Sequence, residues 1–180
     1  MKPLSLTLKN FGPYINETID FTKFEDSSLF LISGKTGSGK TTIFDGMSYA
    51  LFGESSGKLR LGKEMRSTFA DPSEATEVTL LFKHNEFLYE LNRLPEQELF
   101  KKRGTGVRKQ SAKISLIVKD AQGKELRAYS KRREVDELIQ ELLHLNANQF
   151  AQIVLLPQGE FRTFLIAKSD ERSEEHTSEL

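Results

Sequence analysis

Gly34-Lys35-Thr36-Gly37-Ser38-Gly39-Lys40-Thr41 matches the pattern G-x-x-x-x-G-K-[ST]. A random chain of this length meets that pattern on the order of 1% of the time or less. The pattern has a mechanism. A triphosphate carries several negative charges that must be approached without side-chain clashes. Glycine lets the backbone curl so that successive N–H groups face the oxygens. The start of a following helix adds its positive dipole end. Lys40 supplies a compact cation for the terminal phosphates. The Thr41 hydroxyl suits Mg²⁺, a hard ion that prefers oxygen. Gly34, Thr36, Gly37, Ser38, Gly39, Lys40, Thr41 and Thr42 are therefore the expected nucleotide-binding residues, with Thr41 the expected metal ligand.

The flanks agree with this reading. Leu29 to Ile32 is a short apolar run, the pattern of a strand buried on both faces. Ile43, Phe44, Met47, Ala50 and Leu51 then recur at helical spacing, and Gly53 stands where a C-terminal cap belongs. Upstream, Leu4, Leu6 and Leu8 alternate with polar residues as in a strand. Gly12-Pro13 marks a turn, and Ile15 to Phe21 should pair back antiparallel. Tyr14, just after that turn, could sit near the nucleotide, but nothing in the pattern requires it.

Downstream, Glu54 to Pro72 is polar and reads as a loop region. Val78, Leu80 and Phe82 form one strand face, and Phe87, Tyr89 and Leu91 the next, with His84-Asn85 as the turn between them. Ile114 to Val118 is a further strand, closed by a turn at Asp120 to Lys124. Val135, Leu138, Ile139, Leu142 and Leu143 predict an amphipathic helix with Ser130 as its N-cap. Phe150 to Leu156 is apolar and ends at Pro157. The fold class expected is α/β, a mixed sheet with antiparallel strands plus helices. Phe11, Phe21, Phe30, Phe44, Phe82, Tyr89 and Phe150 are expected in the core.

Composition limits the alternatives. The chain has 180 residues, 37% hydrophobic and 29% charged, enough for a domain with a real core. Its 26 basic and 26 acidic side chains cancel, so net charge does not advertise nucleic acid. There is no cysteine, which excludes thiolate metal sites and disulfides. His84, His144 and His176 lack metal-ligand spacing. No apolar run approaches the roughly 20 residues that span a bilayer. The N-terminus carries no secretory pattern, so a cytoplasmic protein is expected.

A hydrolytic site also needs an acid at the end of a second apolar strand. Leu116-Ile117-Val118-Lys119-Asp120 is the one run ending in acid, and a lysine interrupts it. Asp120 reads as a turn residue, which leaves half of an ATPase site.

The combination is more telling than the loop alone. The opening Lys2 to Tyr14, the run Thr18-Ile19-Asp20-Phe21, the loop with its continuation to Gly53, Arg66 to Asp71 with Thr76 to Leu80, and Gln149 to Leu165 resemble the SbcC family of SMC-type ABC ATPases. The likeness covers nearly all of the chain before Arg172. It implies a P-loop NTPase of ABC/SMC head type, N-terminal lobe only, over residues 1–166. It implies that Gln158 is the Q-loop glutamine, a catalytic residue beside Lys40 that positions water and Mg²⁺. It also implies a coiled coil beyond, a partner head that supplies the signature motif across ATP, an SbcD-like nuclease, and a role on double-stranded DNA near the nucleoid. An ABC transporter protein, or a fragment that binds nucleotide without activity of its own, are the alternatives.

Lys101, Lys102, Arg103, Arg108, Lys109, Lys113 and Lys119 fall in one stretch with no acid between Glu98 and Asp120. Such a patch can release counterions from a phosphate backbone. The plainer reading is a solvated hairpin tip, since no aromatic residue interleaves the bases. Lys131-Arg132-Arg133 reads as a solvated helix face. Residues 172–180, from Arg172 to Leu180, lack periodicity and match the translation of a sequencing-adapter oligonucleotide, so a non-native tail is expected there.

Overall fold

The computed structural model describes residues 1–24, 32–54 and 62–154. The expected strand at Leu29 to Ile32 falls outside them except for Ile32, which has no regular structure. Phe30, Gln158, His176 and the 172–180 tail also lie outside.

The strands are β1 (Lys2–Phe11), β2 (Tyr14–Asp20), β3 (Glu77–His84), β4 (Phe87–Leu94), β5 (Gln97–Phe100), β6 (Val107–Gln110), β7 (Lys113–Lys119) and β8 (Glu125–Tyr129). The helices are α1 (Lys40–Phe52), α2 (Arg132–Leu143) and α3 (Ala147–Val154). Six strands form one sheet in the order β2-β1-β3-β4-β7-β8, and β5 and β6 form a separate hairpin. Every pairing among the described strands is antiparallel.

Alternation decides which face is covered. On β1, Leu6 and Leu8 are buried while Thr7 and Lys9 face the other side. The inward set continues through Val78, Leu80 and Phe82 of β3 and Tyr89 and Leu91 of β4. Against it lie Ile43, Met47, Ala50 and Leu51 of α1, Val135 and Ile139 of α2, and Phe150 of α3. Of the aromatic residues expected in the core, Phe11, Phe21, Phe82, Tyr89 and Phe150 are buried, and Phe44 is only half-buried. Phe82 and Tyr89, directly opposite on neighbouring strands, stack with ring centroids 5.0 Å apart. Phe87 points the same way as Tyr89 but sits at the sheet's end and stays exposed. On the outer face, Thr18, Thr7, Thr79, Asn92 and Ser115 stand in register across five strands.

α1 approaches β1 closely because Gly46 has no side chain. A Cβ there would lie 2.6 Å from Leu8 Cδ2. Alanine would gain about 1 kcal/mol of helix propensity, which offsets part of the clash. Valine gains less and adds two methyl groups to a filled space. Gly46→Val should therefore lower stability by about 2–3 kcal/mol in urea unfolding, and Gly46→Ala by less. An unchanged midpoint for the valine variant would mean that the helix stands further from β1.

The helix ends are only partly as expected. Gly53 is the left-handed cap of α1, its N–H donating to Tyr49 O. Ser130 is not the N-cap of α2. Lys131 holds that position in extended conformation with no side-chain cap, and its ammonium pairs with Glu134 instead. α3 begins with a reciprocal cap. The Asn146 N–H donates to Gln149 Oε1 at 2.9 Å, and the Gln149 N–H donates to Asn146 Oδ1 at 3.0 Å.

Candidate functional site

The loop before α1 is shaped by left-handed glycines. Gly37 has φ 84° and Gly39 has φ 87°, a region that side chains rarely adopt. The Ser38 N–H donates to Lys35 O at 3.2 Å, which closes the turn. Gly39 is the N-cap of α1 and makes no side-chain cap. The first N–H groups of the helix therefore have no partner within it and lie at its positive end. Ser33 to Ser38 are exposed, as is Thr41 on the first turn.

Lys40 folds back over this loop. Its ammonium donates to Gly34 O and Lys35 O, both at 2.8 Å, with Ser38 Oγ at 3.5 Å. A cation, curled backbone and a free helix start thus converge on one exposed hollow. This donor set fits a polyphosphate, and the exposed Thr41 hydroxyl fits a hard cation beside it. Among the described residues no group of three or more His, Cys, Asp or Glu could hold a metal on its own. Gly34, Thr36, Gly37, Ser38, Gly39, Lys40, Thr41 and Thr42 are thus brought together, while the expected Gln158 lies outside the described residues.

The loop rests on the β1–β2 turn. A Cβ at Gly12 would lie 2.5 Å from Thr42 Cγ2, and one at Gly39 would lie 2.8 Å from both Pro13 Cγ and the Tyr14 hydroxyl. The Tyr14 hydroxyl donates to Gly39 O at 3.2 Å. Burial, with the nearby Glu17 carboxylate second, holds the Tyr14 phenol above its ordinary pKa, so it keeps its proton at neutral pH. The sequence offered only the Gly-Pro turn as a hint of this contact.

Two arginines organise the surroundings in a way the sequence did not announce. Arg93 of β4 continues the inward phase of Tyr89 and Leu91 and is 5% exposed. Its Nε donates to Ala50 O at 2.9 Å and its Nη2 to Leu51 O at 3.2 Å, the carbonyl end of α1. The same Nη2 meets Asp136 Oδ1 of α2 at 2.9 Å. Burial pushes the nearby Tyr49 phenol up to about 12, against the opposing pull of Arg93. The half-buried Arg66 donates to the carbonyls of Glu74 at 2.6 Å and Asp71 at 2.8 Å, which shapes the loop before β3. Asn10, Thr76 and Gln97 knit that loop to β1 and β5.

Asp120 is the turn residue the sequence suggested. Its Oδ1 accepts from the N–H groups of Gln122 and Lys124 at 3.0 and 2.9 Å. The Lys131-Arg132-Arg133 run pairs with Glu134, Asp136 and Glu137 on its own helix and is a solvated face. The other basic stretch maps to β5, its turn and β6, strands whose alternation is too weak to be read from residue order. Lys102 pairs with Glu74, and Lys109 with Glu96. Lys101, Arg103 and Arg108 have no acidic partner among the described residues.

A family model described as an AAA domain matches residues 5–180. The chain belongs to that family, a nucleotide-binding class in which the glycine loop and α1 are the phosphate-facing elements. Within it the chain is SbcC-like and corresponds to an N-terminal part. It is 46% identical over 96% of its length to the SbcC component of the SbcCD nuclease of Lactococcus lactis and 45% identical over 97% to that of Vibrio cholerae. A Staphylococcus aureus relative of the same description is 46% identical over 96% of the chain. The chain spans only 16–17% of the length of these relatives. A solved chain from work on ATP-driven dimerization and DNA-stimulated activation of SMC ATPases superposes with a TM-score of 0.48 at 18% identity, covering 96% of each chain. At that level of likeness it adds nothing to the assignment. Nothing among the relatives favours a transporter. No described helix is long and apolar enough to cross a membrane.

Proposed function

We propose that this chain is the ATP·Mg²⁺-binding N-terminal part of an SbcC-like ATPase that works with a nuclease on double-stranded DNA. The observation that carries this reading is the Lys40 ammonium, poised 2.8 Å from two carbonyls of its own glycine loop at the start of α1. Gly34 through Thr42 surround the phosphates, Lys40 neutralises them, and Thr41 ligates Mg²⁺ when the nucleotide is bound. Gln158 completes the metal shell and positions water. Calorimetric titration of ATP·Mg²⁺ into the parent chain and Lys40→Ala tests the assignment.

A second head, an SbcD-like nuclease and a cytoplasmic, nucleoid-associated setting follow from the relatives' description as parts of the SbcCD nuclease. Residues 1–166 act as the N-terminal lobe of the head, and 172–180 as a tail foreign to it. Turnover belongs to the assembled protein, because this sequence supplies a phosphate loop without the acid-ended strand.

The β5–β6 hairpin is the proposed DNA contact, through Lys101, Lys102, Arg103, Arg108 and Lys109. The support is its cationic tip, in which three of those five bases lack an acidic partner among the described residues. Changing Lys101, Arg103 and Arg108 to Glu should weaken duplex binding without regard to sequence. It should also flatten the slope of log K against log salt by about 3. A slope equal to the parent's would remove the hairpin from the DNA surface.

A further inference from the structure

We propose that Tyr14 is a positioning residue for the phosphate loop, acting through the carbonyl of Gly39 and not through any contact with the nucleotide base. The proposal rests on the reading of Gly34 to Thr42 as a phosphate site. Three contacts converge on this point. The Tyr14 hydroxyl donates to Gly39 O at 3.2 Å. The Pro13 ring and the Tyr14 hydroxyl fill the space where a Cβ of Gly39 would sit, at 2.8 Å each. Gly12 lies so close to Thr42 that its own Cβ would be 2.5 Å from Thr42 Cγ2. The turn between β1 and β2 therefore braces both sides of the first helical residue.

The consequence follows from peptide geometry. In a planar trans peptide the C=O and the following N–H point in opposite directions. Holding the Gly39 carbonyl toward Tyr14 thus fixes the direction of the Lys40 N–H, one of the helix-start donors that an anion would use. Gly39 O has little other restraint. Its helical partner, the Ile43 N–H, lies at 3.3 Å, near the long end of hydrogen-bond lengths. Gly39 is left-handed at φ 87° and has no side chain to limit its rotation. Without the phenol, the peptide between Gly39 and Lys40 samples more orientations, and the anion must select among them.

The test uses two probes, ATP·Mg²⁺ and inorganic triphosphate with Mg²⁺, titrated into the parent chain, Tyr14→Phe and Lys40→Ala. Tyr14→Phe keeps the ring and removes one hydrogen bond, and should weaken both probes about 5-fold. Its melting midpoint without ligand should match the parent's. The amide resonance of Lys40 should move less on triphosphate binding than in the parent. Unchanged affinity in Tyr14→Phe while Lys40→Ala loses binding overturns the positioning role and leaves the phosphate site standing. A loss seen with ATP but not with triphosphate would make Tyr14 a base contact and overturn the proposal. A loss accompanied by a lowered ligand-free melting midpoint would make its role structural only and overturn it too. If Lys40→Ala binds both probes as the parent does, the phosphate site itself is wrong.

Discussion

Lys40→Ala should lower affinity for ATP·Mg²⁺ by about 100-fold while leaving the fold intact. A hydrogen bond to a charged group contributes about 1.5–3 kcal/mol, and every 1.4 kcal/mol is a factor of ten. The Lys40 ammonium has a ready exchange to make. It leaves two loop carbonyls at 2.8 Å, both on exposed backbone that water can satisfy, and takes up phosphate oxygens. Alanine keeps the curl of the loop, because Gly37 and Gly39 set that curl through positive φ. The affinity lost is therefore that of the cation alone. Lys40→Arg should recover little of it, since a planar fork cannot replace a point charge in a close-fitting loop. Titration calorimetry decides the matter. A dissociation constant for Lys40→Ala within twofold of the parent's would detach the lysine from nucleotide binding.

The largest effect on stability belongs to Arg93→Met. Methionine fills similar volume but abandons Ala50 O, Leu51 O and Asp136 together. The two carbonyls sit at the negative end of α1, where a cation is favoured and no intrahelical donor remains. Breaking a buried pair of this kind costs about 3–5 kcal/mol. The Asp136 side chain is 37% exposed and water can take it over, so about 2–4 kcal/mol is the expected loss. For a chain of this size that is a fall of roughly 5–15 °C in melting midpoint. Asp136→Asn, which keeps the carbonyl contacts, should cost much less. Equal urea midpoints for parent and Arg93→Met would show that the carbonyls find other donors.

Much of this was legible in residue order because local chemistry governed it. The glycine loop, the helix after it and the Gly53 cap need only backbone conformations that few residues adopt. The hairpin around Gly12-Pro13 and the helix at Val135 follow from period alone. The turn at Asp120 was readable because an aspartate can satisfy its own downstream N–H groups. What escaped depended on distant partners. Gln97 to Phe100 and Val107 to Gln110 alternate too weakly to announce strands, and their pairing is settled by a fold that brings the Phe100 N–H to Pro72 O at 2.9 Å. Ser130 looked like a cap, but the helix starts two residues further on, behind Lys131, where a lysine–glutamate pair serves instead. Arg93 looked like a surface charge, although its place in the inward phase after Tyr89 and Leu91 was a usable signal. Tyr14 gave still less, since the meaning of its hydroxyl depends on a carbonyl 25 positions later.

α1 is tied at both extremities, to the first hairpin through Gly39 and to the fourth strand through Arg93. Helices ordinarily fray from their ends, and this one has no loose end from which to begin. Its unwinding is thereby joined to the melting of the sheet, and the glycine loop inherits the cooperativity of the core while remaining open to solvent.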